Sequence, residues 1–498
     1  MLALWVVAYG LLKAFSLNSL DIDSAEQVYF AQSWQMGYGT RQPPLYTWLV
    51  LAFKPASASW VATLEVARYG CLLLWFAGVQ ALASVCGASR SVQARVLLAH
   101  LGVLLVMWRV HDSLTHTVLA GAITIWGSVA VVKAVANPRY WLLAGFLGGL
   151  ACLSKLNAAL WCVSSFGAAW FVISANARSK DKQGTHSVAS HLVWMSAALL
   201  IFLAVLAPYA LWWLTHSKGT MALARRIVVS DENLPLWAPL LEVVAGVLEY
   251  LLIAPVLLAT LAWRQRGQLD HDRQALGERW LAAQMVVGLL LLLLALTIMK
   301  ASHFTPRWLW PVVPGATVWL SMRGIQALDE LGNARLHRVA NCLLWTLAVL
   351  SLAMVGVRLW EPAYNAQKCR SCWTDRPAAQ LSAELHRRYG EQPMRFITGD
   401  DHLAGILVQV APKDKAWTAI SPDLPPPEGF ASGSSPCVAV WLDVDATKPA
   451  PPLLAAWMAS GPHQPVQVNE WPLRLNPRRT FRLQSVLMSP DVCAKVQL

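Results

Sequence analysis

The sequence predicts an α-helical polytopic membrane protein with a small C-terminal α/β domain. Three observations carry this. Of the 498 residues, 56% are hydrophobic and only 14% are charged, where soluble domains carry roughly 25% charged residues. The mean hydropathy is +0.44. Apolar runs of membrane-spanning length fill residues 1–360, whereas residues 361–498 are polar and proline-rich.

A hydrocarbon core of about 30 Å needs about 20 apolar residues per helix. Read with that ruler, the chain offers about eleven spans. They fall near 2–18, 60–86, 92–110, 114–135, 140–154, 157–175, 190–214, 238–263, 280–299, 308–322 and 340–360. The first is interrupted only by Lys13, which must be accommodated against another helix. It lacks a basic n-region and a small-residue cleavage site, so no cleavable signal peptide is expected. The fifth and sixth form one apolar stretch, broken at "SKLN" (154–157). The 26 tryptophans suit interfacial belts.

The net charge is +12. Its basic residues sit in short loops rather than on one face or tail, which excludes a nucleic-acid partner. They act instead as topology signals. Arg90, Arg95, Lys133, Arg139, Arg178, Lys180, Lys182, Arg264, Arg266 and Arg273 fall in loops on the side of the N-terminus. The opposite loops carry fewer. The positive-inside rule therefore places the N-terminus in the cytoplasm and residues 361–498 outside it. In that tail, "MRFITGD", "CVAVWLDV", "VQVNEWPLR" and "FRLQSVLM" read as strands. "AAQLSAELHRRYG" and "PPLLAAWMASG" read as helices, and the mixture predicts a small α/β domain. Cysteines 71, 86, 152, 162 and 342 lie in apolar runs and read as inert core residues. An outer tail makes a Cys437–Cys493 or a Cys369–Cys372 disulfide possible, and spacing alone does not choose.

The candidate chemistry lies in the outer loops. "DIDSAEQ" gathers Asp21, Asp23 and Glu26 directly after the first span. One of these carboxylates is placed to deprotonate an acceptor hydroxyl. "DID" is also a DxD, a pattern that can hold a divalent metal through hard oxygen ligands. The plainer alternative is a solvated acidic helix start. "RQPPLYTW" follows, with two prolines stiffening the turn. Arg41 and Tyr46 in it are candidates to meet an anionic group, and Arg41 with Trp48 also suits interfacial anchoring. "HDSLTH" brings His111, Asp112 and His116 to an outer turn, where metal binding, a polar network or a helix cap all fit. Lys155, deep in apolar sequence, is costly to place and reads as functional. Lys300, His303 and Arg307 in "KASHFTPRW" form a further cationic cluster, suited to a phosphate or to headgroup snorkelling.

An acidic first outer loop, a "PPL-x-x-W" run, many spans and a polar outer tail resemble the GT-C superfamily of polytopic glycosyltransferases. The resemblance is to the branch that holds protein O-mannosyltransferases and the lipid A aminoarabinose transferase. It spans most of residues 1–360, sharpest in "DIDSAEQ" and "RQPPLYTWL" and weaker in "SKLN" and "RWLWPVVP". It implies a GT-C-like fold in a bacterial inner membrane, with the active site and tail in the periplasm. It implies transfer of a sugar from a polyprenyl-phosphate carrier to an acceptor hydroxyl on a lipid, glycan or protein. Family members place an Asp-Glu pair in the first outer loop, the Asp as general base. Here Ser24 follows Asp23, so the pair is altered, and Asp23 stands first as base with Asp21 second. The aminoarabinose branch has a lysine before its two prolines that helps hold the donor phosphate. Here that position is Gln42, with Arg41 one residue earlier. Arg41, Lys155, Lys300 and Arg307 are the expected phosphate ligands. Tyr46, His111, Asp112 and His303 are further substrate-site candidates. No cofactor is required by this reading, and a divalent metal stays open.

A transporter or lipid flippase is the main competing class, and a membrane scaffold presenting the tail is another. A transporter should show repeats and helices broken at the midplane. No repeat is visible, and the polar clusters lie at the outer boundary.

Overall fold

The computed structural model describes residues 2–38, 42–56, 59–111, 113–178, 187–216, 237–251, 276–299, 301, 304–364, 371–419, 424–442 and 449–496. Arg41, Asp112, Lys300, His303 and Cys369 lie outside them. The helices in chain order are α1 (Leu2–Ser16), α2 (Ile22–Phe30), α3 (Leu45–Phe53), α4 (Trp60–Val85), α5 (Arg90–Leu101), α6 (Leu104–Met107) and α7 (Thr115–Ala136). Then come α8 (Trp141–Ser154), α9 (Ala158–Arg178), α10 (Val188–Thr215), α11 (Trp237–Leu251), α12 (Leu276–Ile298), α13 (Leu309–Val312), α14 (Ala316–Leu331) and α15 (Ala334–Tyr364). The C-terminal elements are α16 (Ala378–Tyr389), β1 (Arg395–Thr398), α17 (Asp401–Val410), β2 (Lys415–Thr418), β3 (Cys437–Leu442), α18 (Pro452–Met458), β4 (Gln467–Pro472), β5 (Thr480–Met488) and α19 (Pro490–Ala494).

In their described parts the expected spans fall largely on helix, although 92–110 and 308–322 are each broken into two. Among the described residues, six helices are long and apolar enough to cross a membrane: α4, α7, α9, α10, α12 and α15. The pair Arg90–Leu101 and Leu104–His111, bent by 61°, would make a seventh. α1 and α8 are apolar but have only 15 and 14 residues.

The chain divides into two compact units. The first comprises Met1–Gly39, Tyr46–Tyr69 and Val355–Leu498, the second Thr40–Leu45 and Gly70–Met354. Within the second, α8 packs against α7 and α10. Glycines make the α8–α10 approach possible. A Cβ on Gly145 would lie 2.2 Å from the Ala198 carbonyl oxygen, and one on Gly149 would lie 2.8 Å from the Val205 side chain. Small residues at such contacts let membrane helices close up.

Among the described residues, the same unit shows three helix breaks. One is the α5–α6 bend, and the second is the expected break at "SKLN", where α8 stops at Ser154 and α9 starts at Ala158. The third divides the expected span 308–322 into α13 and α14. Its cause lies in "WPVVPG", since Pro314 has no N–H to continue a helix. Freed backbone groups at depth need side-chain partners. Gln284 supplies one, donating to the Val312 carbonyl at 2.8 Å and to Ser164 Oγ at 2.9 Å. His100 joins α5 to α14 through Val96 O at 2.7 Å and Thr317 Oγ1 at 2.9 Å.

In the first unit, the tail forms a five-stranded sheet in the order β2-β1-β3-β5-β4. β1 runs parallel to β2 and β3, while β5 is antiparallel to β3 and β4. All four residues of β1 are buried, as strands in parallel pairing covered on both faces must be. Ile397, Phe430, Ala439, Trp441 and Val486 lie in one hydrophobic core. Arg395, buried in β1, spends its guanidinium on the Ser435 and Phe430 carbonyls. Cys437 and Cys493 are joined in a disulfide. The four expected strands are present, with β2, α17 and α19 in addition.

Candidate active site

The acidic stretch folds as the short helix α2. Asp21 is its N-cap, extended in backbone, with its side chain accepting from the Ser24 amide at 2.9 Å. Asp is a preferred N-cap residue, and Asp23 in the first turn also suits the positive end of the helix dipole. Asp21 is not solvated, however; it is only 5% exposed. Its second oxygen accepts from Ser24 Oγ at 2.9 Å and from Arg68 Nη2 at 2.6 Å. Arg68 also donates to Ser24 Oγ at 2.7 Å and to Glu65 at 3.2 Å. Lys13, buried in α1, lies 3.4 Å from Glu65.

Two positive and two negative side chains therefore share one dry site. Burial by itself would raise the Asp21 carboxyl, but the charges of Arg68 and Lys13 and the hydrogen bonds from Arg68 and Ser24 outweigh it and hold it below the ordinary value. An acid so held is a weak base. Asp23 is half-buried and Glu26 buried on the same short helix. The DxD reading loses Asp21 as an open ligand, since both its oxygens already accept hydrogen bonds. Among the described residues, the group close enough to share an ion is Asp400, Asp401 and His402, not the α2 acids.

The prolines of "RQPPLYTW" lead directly into α3. Thr47 donates to Gln27 at 2.8 Å, tying α3 to α2. Tyr46 is fully buried, within electrostatic reach of Arg68. Trp48 donates to the Gln35 carbonyl at 2.8 Å and stacks on Trp34. From the tail, α17 packs against α2. The approach is so close that a Cβ on Gly405 would lie 1.9 Å from the Ala25 carbonyl oxygen. Gln32, just past α2, pairs with both backbone groups of Ala416 in β2, at 2.8 and 2.9 Å. The acid-bearing helix is thus held from three sides: by Arg68 of α4, by α3 and by the α/β tail.

Lys155, His111 and Arg307 belong to the second unit. Lys155 caps the end of α8 at the "SKLN" break, half-buried, and its ammonium donates to Thr117 Oγ1 at 2.6 Å. Thr117 lies in the first turn of α7. His116 beside it is 3.1 Å from the Ser154 carbonyl, and Ser154 Oγ donates to the His116 carbonyl at 2.9 Å. Asn157 donates to the Trp308 carbonyl at 2.9 Å. The "SKLN" and "PRW" segments, which carry Lys155 and Arg307, are thereby joined. Nearby in sequence, the Phe304 amide donates to Glu242 of α11. His111 is buried in a 3-10 turn before α7. Leu114, in "HDSLTH", has φ of 84°. A branched residue in this left-handed region stores strain of about 1–3 kcal/mol, which persists where the surroundings over-determine it.

Glu65 and Arg68, the buried neighbours of Asp21, are missed by sequence reasoning. Their signal is two opposite charges three apart inside an apolar span, "WVATLEVARYG".

The chain matches no family model. Over 461 residues it is 24% identical to the lipopolysaccharide core galacturonosyltransferase RgtA of Rhizobium johnstonii, covering 89% of this chain and 85% of that one. Over 477 residues it is 27% identical to RgtB of the same organism, a protein of the same description, covering 92% and 89%. Its structure superposes on that of ArnT from Cupriavidus metallidurans bound to undecaprenyl phosphate, with a TM-score of 0.54, 14% identity and 97% of both chains covered. The apo form of ArnT gives the same TM-score. The resemblance to the GT-C polytopic glycosyltransferases is thereby borne out: the fold is similar to that of ArnT, and in sequence the chain is similar to galacturonosyltransferases over most of its length.

Proposed function

We propose that the protein is a membrane glycosyltransferase that moves a sugar from a polyprenyl-phosphate carrier to an acceptor hydroxyl on the periplasmic side of a bacterial inner membrane. The observation that carries the reading is the division of labour on α2. Asp21 is committed to Arg68 and Ser24. Asp23, in the first turn of the helix and half-buried where Asp21 and Glu26 are buried, is the general base in this reading.

In this reading the acceptor oxygen attacks the anomeric carbon in one displacement, with inversion. Its proton passes to Asp23 as the new C–O bond forms. The bond from the anomeric carbon to the phosphate oxygen breaks, and polyprenyl phosphate leaves. Arg41, Lys155, Lys300 and Arg307 neutralise the phosphate, with the Thr117 hydroxyl holding Lys155. The likeness to ArnT, whose structure holds undecaprenyl phosphate, supports a polyprenyl-phosphate donor. The likeness to RgtA and RgtB makes galacturonosyl the first group to try and a lipopolysaccharide core the first acceptor. The Cys437–Cys493 disulfide supports an oxidising compartment for the tail.

Helix breaks are also a transporter feature. Here they are closed by side chains such as Gln284 and Asn157, and the fold is similar to that of ArnT. The test is turnover by purified protein. A synthetic polyprenyl-phosphate galacturonosyl donor should be consumed in the presence of lipopolysaccharide, and the matching nucleotide sugar ignored. Efficient use of the nucleotide sugar without a lipid carrier would overturn the proposal.

A further inference from the structure

The first unit contains a cavity of about 520 Å³ that the transfer reaction does not use. This is within the size range of small-ligand sites, roughly 300–1,000 Å³. The apolar part of its lining includes Leu12 of α1 and Gly356, Leu359 and Trp360 from the last turns of α15. Leu12 is 46% and Trp360 63% exposed. α15 is long and apolar enough to cross the membrane, and its spanning segment ends at Glu361. Trp360 therefore stands at the level where interfacial tryptophans gather. The polar part of the lining includes Asp375 and Arg474.

That polar part is preorganised. Asp375, buried, accepts from the Leu475 amide at 2.9 Å and lies 3.5 Å from Arg474 Nε. Arg474 Nη2 donates to the Ser16 carbonyl at 3.1 Å. The guanidinium is thus fixed at two of its three nitrogens, yet the side chain remains 51% exposed. An arginine held in this way beside apolar helix ends matches an amphipath with a phosphate at its head.

We propose that this cavity binds one glycerophospholipid of the surrounding leaflet, its phosphate on Arg474 and an acyl chain along Leu12, Leu359 and Trp360. Asp375 acts as a positioning residue for Arg474. The proposal is independent of the transfer reaction.

The test is native mass spectrometry of the full chain released from phosphatidylglycerol nanodiscs, with competition by soluble compounds. Wild type should retain one phospholipid per chain. Arg474→Gln should lower retention roughly tenfold, the loss of one charge-assisted hydrogen bond. Gly356→Leu should abolish it. A Cβ at Gly356 meets no atom within 4 Å, so the larger side chain fills the cavity rather than displacing its walls. Dioctanoyl phosphatidylglycerol should compete with the retained lipid, whereas dioctanoylglycerol and glycerol 3-phosphate should not. Unchanged retention in either variant would overturn the proposal. Equal competition by glycerol 3-phosphate would mean a site for free phosphate, and equal competition by dioctanoylglycerol would mean non-specific apolar contact; either also overturns it. The competition arm is read on wild type and stands even if a variant fails to fold.

Discussion

Around Asp21, in the first unit, buried charge meets buried charge: Lys13 and Arg68 against Asp21 and Glu65. At the helix breaks of the second unit, the buried groups that close the backbone are amides, hydroxyls and imidazoles: Gln284 on Val312, Asn157 on Trp308, His116 on Ser154. The two constructions fail differently. Four charges taken out of water gain little net stability as a set, but removing one strands the others in a low dielectric. A neutral amide that caps a carbonyl leaves behind only one unsatisfied acceptor. The acid helix is therefore brittle and pH-sensitive, and the amide-capped breaks are more tolerant.

The sharpest way to break this comparison is to remove one charge. Arg68→Ala should destabilise the protein by about 3–5 kcal/mol, seen as a large loss of folded yield and a lowered melting temperature in detergent. The paired change Arg68→Met with Asp21→Ser removes one charge of each sign and leaves Lys13 with Glu65. Serine keeps the N-cap. The double variant should recover most of the loss, and a double variant as unstable as Arg68→Ala would contradict the charge-pairing account.

A smaller effect is expected at the break. Asn157→Ala leaves the Trp308 carbonyl without its amide and should cost about 1–3 kcal/mol, with no dependence on pH between about 5 and 8, where no amide titrates. A loss as large as that of Arg68→Ala would erase the distinction between the two regions.

The smallest expected effect is the titration of one group. Asp21, held below its ordinary value of 3.8, takes up its proton at lower pH in the folded chain than in the unfolded one. Its stabilising contribution is complete above that ordinary value and is lost as pH falls through the lowered folded value. The gap in melting temperature between wild type and Asp21→Asn should thus narrow as the solution is acidified below about pH 4. A constant gap would mean that the ionised form contributes nothing.

What could be read from the sequence follows the same divide. The spans were legible because apolar length is a local property, and the "SKLN" break was legible because Lys155 interrupts an apolar run. The break at "WPVVPG" was equally local but passed as one span. The partners of Asp21 were harder. Glu65 and Arg68 sit in a window apolar enough to hide two charges that cancel. α17 was missed because "LAGILVQV" has no helical period strong enough to separate it from a buried strand. Yet α17, through Gly405, is what backs the acid helix, and Gln32 meets Ala416 across 384 residues of sequence. Contacts of that range have no local signature. The disulfide was open between two pairings until the sheet brought Cys437 beside Cys493.

The central claim is that α2 divides its acids between structure and chemistry. The most direct measurement is single-turnover transfer from a polyprenyl-phosphate sugar by Asp23→Asn and Asp21→Asn, each compared with its own melting temperature. The account predicts that Asp23→Asn loses about 10²–10⁴-fold in rate per folded molecule, the usual worth of a general base. Asp21→Asn should melt lower and keep most of its rate per folded molecule. Near-normal turnover by Asp23→Asn, with the chemical step lost in Asp21→Asn instead, would contradict it.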